Sequence, residues 1–323
     1  MPFSVSPDTP QVLCLGEVLW DYLADQPGQS LAEVTSWTPF PGGAPANVAC
    51  VLATLGTAAG LISCVGTDGA GERLVALLQK FQVNIVGLQR HPLPTRSVYV
   101  TRSKEGDRTF AGFGDGPTNF ADMHLQTEQI CEALFSTADY LVLGTLGLAY
   151  PDTCAAMIHA LRLAQQHNVN LWVDVNWRPM FWPHPELAKP MILDLLSQAQ
   201  MIKLSVEEAQ WLFNTTDSAV IAKAVPQAGV LVTAGEQGCS YQIAEDRGTV
   251  PAFAVTVVDT TGAGDAFMAG LLHQCCQRGN QQTGDIFREM IRYASAVGAI
   301  TTTRRGAMSV DPTEIEPLLQ VHP

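Results

Sequence analysis

Three observations predict an α/β layered fold. Short apolar runs rich in β-branched residues alternate along the chain with stretches of helical period. Most of those runs are hydrophobic from end to end, as strands of a parallel sheet covered on both faces must be. Two stretches, 17–40 and 94–114, depart from this alternation and carry period-2 patterns such as Ser97-Val-Tyr-Val-Thr-Arg and Arg108-Thr-Phe-Ala-Gly-Phe. They read as antiparallel strands of a small β appendage or lid.

The predicted strands are Val12–Leu15, 61–65, Tyr140–Leu143, 171–175, 201–204, 230–233 and 253–258. Helices are predicted over 46–55, 71–81, 151–167, 186–198, Val206–Phe213, 265–277 and 287–302. No charge occurs between Glu33 and Asp68, and residues 48–66 are largely apolar. Gly56 and Gly60 interrupt that run, and its Ala, Gly, Thr and Cys content is weakly lipophilic, so it reads as a buried helix followed by a buried strand and not as a membrane span. No repeat of 20–50 residues and no linker divides the chain, so residues 1–323 are expected to form one domain.

Of the 323 residues, 47% are hydrophobic and 15% charged, a balance that builds a large core and excludes a disordered chain. The formal charge of −13 would repel a nucleic-acid backbone, and no basic stretch offsets it. An anionic nucleotide would therefore need a metal ion, backbone N–H groups or a few placed cations to hold its phosphates. Eight scattered cysteines without metal-ligand spacing read as reduced thiols, and residues 1–11 lack the basic and apolar regions of a signal peptide. A cytoplasmic location is the expectation.

The chemistry is concentrated in Val255-Thr-Val-Val-Asp-Thr-Thr-Gly-Ala-Gly-Asp-Ala-Phe-Met-Ala-Gly, which reads as strand, glycine loop and helix. Apolar residues at 267, 268, 271, 272 and 275 give that helix a buried stripe. Gly262, Ala263 and Gly264 leave backbone N–H groups and the positive helix end open to an anion. A carboxylate at Asp265 would be poor design for binding phosphate alone, but it makes sense as a base that takes a hydroxyl proton while the loop steadies a migrating phosphoryl group. Gly-Ala-Gly by itself would mark no more than the start of a helix.

The longer match, with its preceding strand, paired threonines and Ala-Phe-x-Ala-Gly, resembles the second signature of the PfkB (ribokinase-like) carbohydrate kinases. Pro41-Gly-Gly-Ala-Pro-Ala-Asn-Val-Ala resembles the first signature, in which Gly42 and Gly43 allow close approach to a polyhydroxy ligand and Asn47 offers both donor and acceptor. The resemblance covers nearly the whole chain. It implies a ribokinase-like three-layer α/β/α domain with a central, mostly parallel sheet, closed by a β-sheet lid formed from about 17–40 and 94–114. It also implies ATP and Mg²⁺ as cofactors, a sugar as substrate, and a homodimer formed through the lid.

Individual residues follow from the same resemblance. Asp21, at the end of Leu13-Cys-Leu-Gly-Glu-Val-Leu-Trp-Asp, would grip sugar hydroxyls. Arg178 in Val173-Asp-Val-Asn-Trp-Arg-Pro would be a phosphate cation and Asn176 a positioning group. Lys203-Leu-Ser-Val-Glu-Glu matches a segment that usually reads Asn-x-x-Glu. Ser205 replaces the Asn, while Glu208 is kept and would organise Mg²⁺ through water. With Lys203 on the nucleotide side, Thr233, Gly235 and Gly238 of Thr233-Ala-Gly-Glu-Gln-Gly would border ATP, although a plain strand-to-strand turn has the same pattern. Asp259, Thr261 and Arg304-Arg305-Gly306 resemble loops that surround K⁺ with carbonyls, and Thr261 would also border the nucleotide.

Pro94-Thr95, Gly106-Asp-Arg-Thr-Phe and Ala121-Asp-Met are most similar to fructokinases, whereas Gly112-Phe-Gly-Asp departs from them. Phosphorylation of D-fructose to fructose 6-phosphate is the expected reaction. Ribose, 2-keto-3-deoxygluconate, a nucleoside or a sugar phosphate stay open as acceptors, as does an inactive scaffold relative. A P-loop NTPase is excluded because the chain has no Gly-Lys pair, and the dinucleotide fingerprint of a dehydrogenase is also missing.

Overall fold

The computed structural model describes residues 9–102, 108–113, 118–279 and 284–321. The strands are β1 (Val12–Leu15), β2 (Leu19–Ala24), β3 (Trp37–Gly42), β4 (Ala59–Gly66), β5 (Leu88–His91), β6 (Ser97–Arg102), β7 (Arg108–Gly112), β8 (Tyr140–Leu143), β9 (Asn170–Asp174), β10 (Met201–Ser205), β11 (Gly229–Thr233), β12 (Cys239–Ile243) and β13 (Asp246–Val250). The α-helices are α1 (Ala44–Thr54), α2 (Gly69–Lys80), α3 (Pro151–Gln166), α4 (Pro185–Leu196), α5 (Val206–Phe213), α6 (Ser218–Ala224), α7 (Ala263–Arg278), α8 (Gly284–Thr302) and α9 (Ile315–Val321).

Nine strands form one sheet in the order β13-β12-β11-β10-β9-β8-β1-β4-β5, parallel from β5 to β11 and antiparallel at β12 and β13. Along β1 the residues alternate between two cores. Val12 and Cys14 pack with α1, α7 and α8 on one face, and Leu13 and Leu15 pack with α3 and α4 on the other. All four are fully buried, which explains why the strand reads as an unbroken apolar run. The apolar segment 48–66 resolves into most of α1 and the wholly buried β4, as its glycines predicted.

The second sheet has four strands in the order β3-β2-β6-β7. Its β2–β3 and β6–β7 pairs are antiparallel hairpin-like ladders, but β2 and β6 run parallel, because each hairpin is inserted separately after a strand of the main sheet. Residues 103–107 and 114 of the predicted appendage, and with them Gly106, Asp107, Gly114 and Asp115 of the sugar-specific motifs, lie outside the described residues.

One predicted strand is absent. Residues 253–258 join no strand ladder, and Val258 N–H bonds the Thr302 carbonyl instead; Phe253 is buried, whereas Val257 and Val258 are 57% and 56% exposed. The edge is taken instead by the β12–β13 hairpin; Phe253 joins the core and also lines a cleft, and Val255 and Val257 line that cleft only. The helix whose first turn was expected near Gly262 runs from Ala263, with Gly262 as its N-cap.

Candidate active site

Strand order reverses beside β1, where β4 and β8 flank it, and in sheets of this kind ligands gather outside the carboxyl ends of the strands at such a point. The predicted residues assemble at that edge. Asp174 ends β9, Ser205 ends β10, Thr233 ends β11, and the Gly262–Asp265 turn opens α7.

Gly262 has φ +76° and lies so close to Ala307 that a side chain would collide with it, so no other residue fits this turn without strain. At the start of α7 the Ala263 N–H bonds the Thr260 carbonyl at 3.3 Å, while the N–H groups that follow it have no preceding helical turn to bond. Asp265, in that first turn, is buried and accepts a 2.7 Å hydrogen bond at Oδ2 from Asn47 Nδ2. Burial pushes its carboxyl pKa up to about 6, and the nearby Asp174 carboxylate adds to the rise. The Asn47 bond, Lys203 and Arg178 oppose it.

Asn47 lies on α1, which packs against α7, so two segments 218 residues apart meet side chain to side chain. Its Oδ1 is buried without a hydrogen-bond partner among the described residues, an acceptor free for a ligand hydroxyl. Gly43 is the N-cap of α1. Gly42 ends β3 directly against the Asp21 carboxylate, so a side chain there would have to push Asp21 aside. Asp21 lines a small crevice with Asp259, Thr261 and Gly306, which brings residues of β2 and of the two loops into one locality.

Lys203 and Asp174 face each other across the parallel β9–β10 pair and form a buried ion pair, with Nζ 2.7 Å from both carboxylate oxygens. Burial works against the ammonium charge, yet the Asp174 carboxylate holds the Lys203 pKa above the usual lysine value. A Cβ added at Gly264 would stand 3.2 Å from Lys203 Nζ, so the ammonium lies directly under the glycine loop. Asp174 is therefore a site residue in its own right, although the sequence reading assigned it no role.

Glu208 is engaged on both sides. Its Oε1 accepts from Trp177 N–H at 2.6 Å and its Oε2 from Ser205 N–H at 2.7 Å, while Ser205 Oγ accepts from Glu208 N–H. Ser205, standing where the pattern has Asn, is thus the N-cap of α5 in a capping box. The carboxylate also fixes the turn that carries Asn176, whose φ is +41°, and the exposed Arg178. Burial first, then Asp174, raises the Glu208 pKa. Asp259 accepts from Thr261 N–H and Oγ–H through Oδ1 and from Gly306 N–H through Oδ2, stitching together the two loops compared with a K⁺ site.

Thr233, Gly235, Gly238, Ala263 and Gly264 share a cleft of about 870 Å³. Its far wall is formed by Phe253, Val255 and Val257 from the missing strand and by Ala299 of α8. The turn from Thr233 to Gly238 joins β11 to β12, so its geometry is the plain strand-to-strand turn and its position is a cleft rim at once. Among the described residues no three His, Cys, Asp or Glu side chains are grouped to hold a metal ion, and no helix is long and apolar enough to cross a membrane. A Mg²⁺ ion fits this site only if phosphate oxygens and water supply most of its ligands.

An open cleft at the strand ends, an amide-lined helix start and a buried carboxylate beside it define a phosphotransferase of the ribokinase-like type. Residues 9–314 match the family model described as pfkB family carbohydrate kinase, and the chain belongs to that family as a carbohydrate kinase. It is 36% identical to Fructokinase-1 of Oryza sativa subsp. japonica over 313 residues, 95% of this chain and 96% of the relative. A fructokinase with bound ATP from Xylella fastidiosa superposes with a TM-score of 0.86 at 30% identity, covering 96% of this chain and 98% of that one. A double-mutant fructokinase from Vibrio cholerae O395, solved with fructose, ADP and potassium ion, gives 0.84 at 26% identity, covering 96% and 98%.

Proposed function

We propose that this chain transfers the γ-phosphoryl group of ATP to the 6-hydroxyl of D-fructose, with Asp265 as general base. The observation that supports it best is the placement of Asp265: buried, bound to Asn47 from the first signature, and next to the helix start and the Lys203–Asp174 pair. The names of the relatives add fructose as the acceptor.

In this reading the sugar lies between Asp21, Gly42, Gly43 and Asn47, under the small sheet acting as a lid. The nucleotide lies along the cleft bordered by Thr233, Gly235 and Gly238, with its base against Val255 and Val257. Asp265 removes the hydroxyl proton as the sugar oxygen bonds to the γ-phosphorus and the bond to the ADP oxygen breaks. The Gly262-Ala263-Gly264 turn, with the Lys203 ammonium against Gly264 and Arg178 close enough to act on Asp265, faces the charge that develops on the phosphoryl oxygens. Glu208 would hold Mg²⁺ through water, and Asp259 and Thr261 with their loops would hold K⁺; bound there, the ions would neutralise phosphate charge. Lid closure keeps water from replacing the sugar.

Eight unpaired cysteines suit a reducing compartment, and the cytoplasm is the proposed location. A homodimer through the small sheet completes the reading. The deciding experiment is ADP release with MgATP and a panel of fructose, ribose, 2-keto-3-deoxygluconate, nucleosides and sugar phosphates. Fructose giving the highest kcat/KM supports the proposal, and a clear preference for another acceptor removes fructose from it.

A further inference from the structure

Arg96 is 1% exposed, among the most deeply buried large side chains in the protein, and stands immediately before β6. A cation this deep needs partners on several sides. Its Nε donates to Asp122 Oδ2 at 2.7 Å, and its guanidinium lies over three rings, 5.0 Å from Phe120, 5.2 Å from Tyr150 and 5.6 Å from Phe181.

These partners come from separate parts of the molecule. Phe120 and Asp122 follow the β6–β7 hairpin, and Tyr150 heads α3. Phe181 ends a single helical turn, Pro179–Phe181, that begins directly after Arg178. The backbone of Arg96 is pinned as well, its carbonyl accepting from Trp20 N–H of β2 at 3.1 Å. Next to it, Thr95 is anchored by Asp68, which accepts from the Thr95 N–H and Oγ–H. The point where the chain enters the small sheet is therefore a fixed one.

Phe181 is the piece that connects these parts. Tyr150 Oη donates to its carbonyl at 2.8 Å, and its ring packs edge-on to Phe110 of β7 at 5.2 Å and against Phe113 at 5.7 Å. One ring thus touches the small sheet, the buried guanidinium and the turn that carries Arg178. We propose that Arg96 is a positioning residue: by clamping Phe181 it holds the Arg178 turn in place and ties that turn to the small sheet. Because Arg178 is exposed and, among the described residues, donates only to the neighbouring carbonyl of Trp177, its aim depends on that turn.

The inference rests on the kinase reading and is tested by a double-mutant cycle on kcat/KM, with D-fructose as the probe and saturating MgATP. R96K keeps the charge and loses the planar fork. Acting through the Arg178 turn, it lowers kcat/KM by about tenfold or more in the wild-type background and by less than about threefold in an R178K background. Losses that multiply in the double variant, or an R96K enzyme within about twofold of wild type, would overturn the proposal. If R96K does not fold, F181L with R178K takes its place under the same criteria, because Phe181 is only half-buried. A wild-type chain inactive on every sugar would sink the kinase reading itself, whereas an active wild type with multiplicative losses sinks the clamp alone.

Discussion

The amide of Asn47 donates to the carboxylate of Asp265 across 2.7 Å, joining the two signature segments in one buried contact. That bond favours the ionised carboxylate, against the burial that raises its pKa to about 6. An ionised base is required, so kcat/KM should climb with pH and level off above an acid limb near 6. Replacing Asn47 by Ala removes the hydrogen bond that steadies the carboxylate, so the limb should move to higher pH. A pH–rate profile checks both, and a limb unmoved in N47A would detach Asn47 from the base.

Glu17 is raised in the same direction as Asp265, and its titration bears on stability. It is buried, and burial carries its carboxyl to about 7, with only partial relief from N–H donors such as Ala44. Its folded pKa lies above the unfolded value, so its stabilising influence is full at pH 4 and is lost as pH rises through 7. The penalty at pH 8 is on the order of 3 kcal/mol. E17Q should therefore melt higher than wild type at pH 8, with the gap closing towards pH 4. Thermal unfolding at the two pH values tests this, and a gap that widens on acidification contradicts it.

The two glycines of the turn should fail differently. G262A forces a side chain into Ala307 at a left-handed φ and should cost roughly 1–3 kcal/mol of stability along with activity. G264A meets only the tip of Lys203, at 3.2 Å, so the melting temperature should hold while kcat/KM for ATP falls. Calorimetry beside steady-state kinetics separates the pair, and equal melting losses would refute the distinction.

Lys203 and Asp174 form a pair whose halves cannot be removed singly without leaving a buried charge. K203M should destabilise by about 3–5 kcal/mol, and K203M with D174N should recover part of that loss. Urea unfolding measures both, and a double variant no more stable than K203M would show that the pairing is not the reason.

Much of this was legible in the sequence because it depends on local pattern. Val12–Leu15 reads as a doubly covered strand from its four apolar residues, and Gly262 to Asp265 reads as a helix start from its glycines. The segment 253–258 misled because an apolar run looks the same whether it fills a core or walls a cleft. The β12–β13 hairpin was missed: its polar residues at 240, 242, 246, 247 and 249 give little apolar signal. Arg96 was invisible for a different reason. A charged residue reads as surface, and only the fold brings Phe120, Tyr150 and Phe181 around it. Asp174 lay inside a quoted motif, but its bond to Lys203 is a property of strand pairing.

The central claim is that Asp265 takes the proton of the attacking hydroxyl. It is tested most directly by kcat of D265N with MgATP and fructose, with folding verified by circular dichroism. The account predicts a native spectrum and a kcat lower by about 10²- to 10⁴-fold. A folded D265N enzyme turning over near the wild-type rate would contradict it.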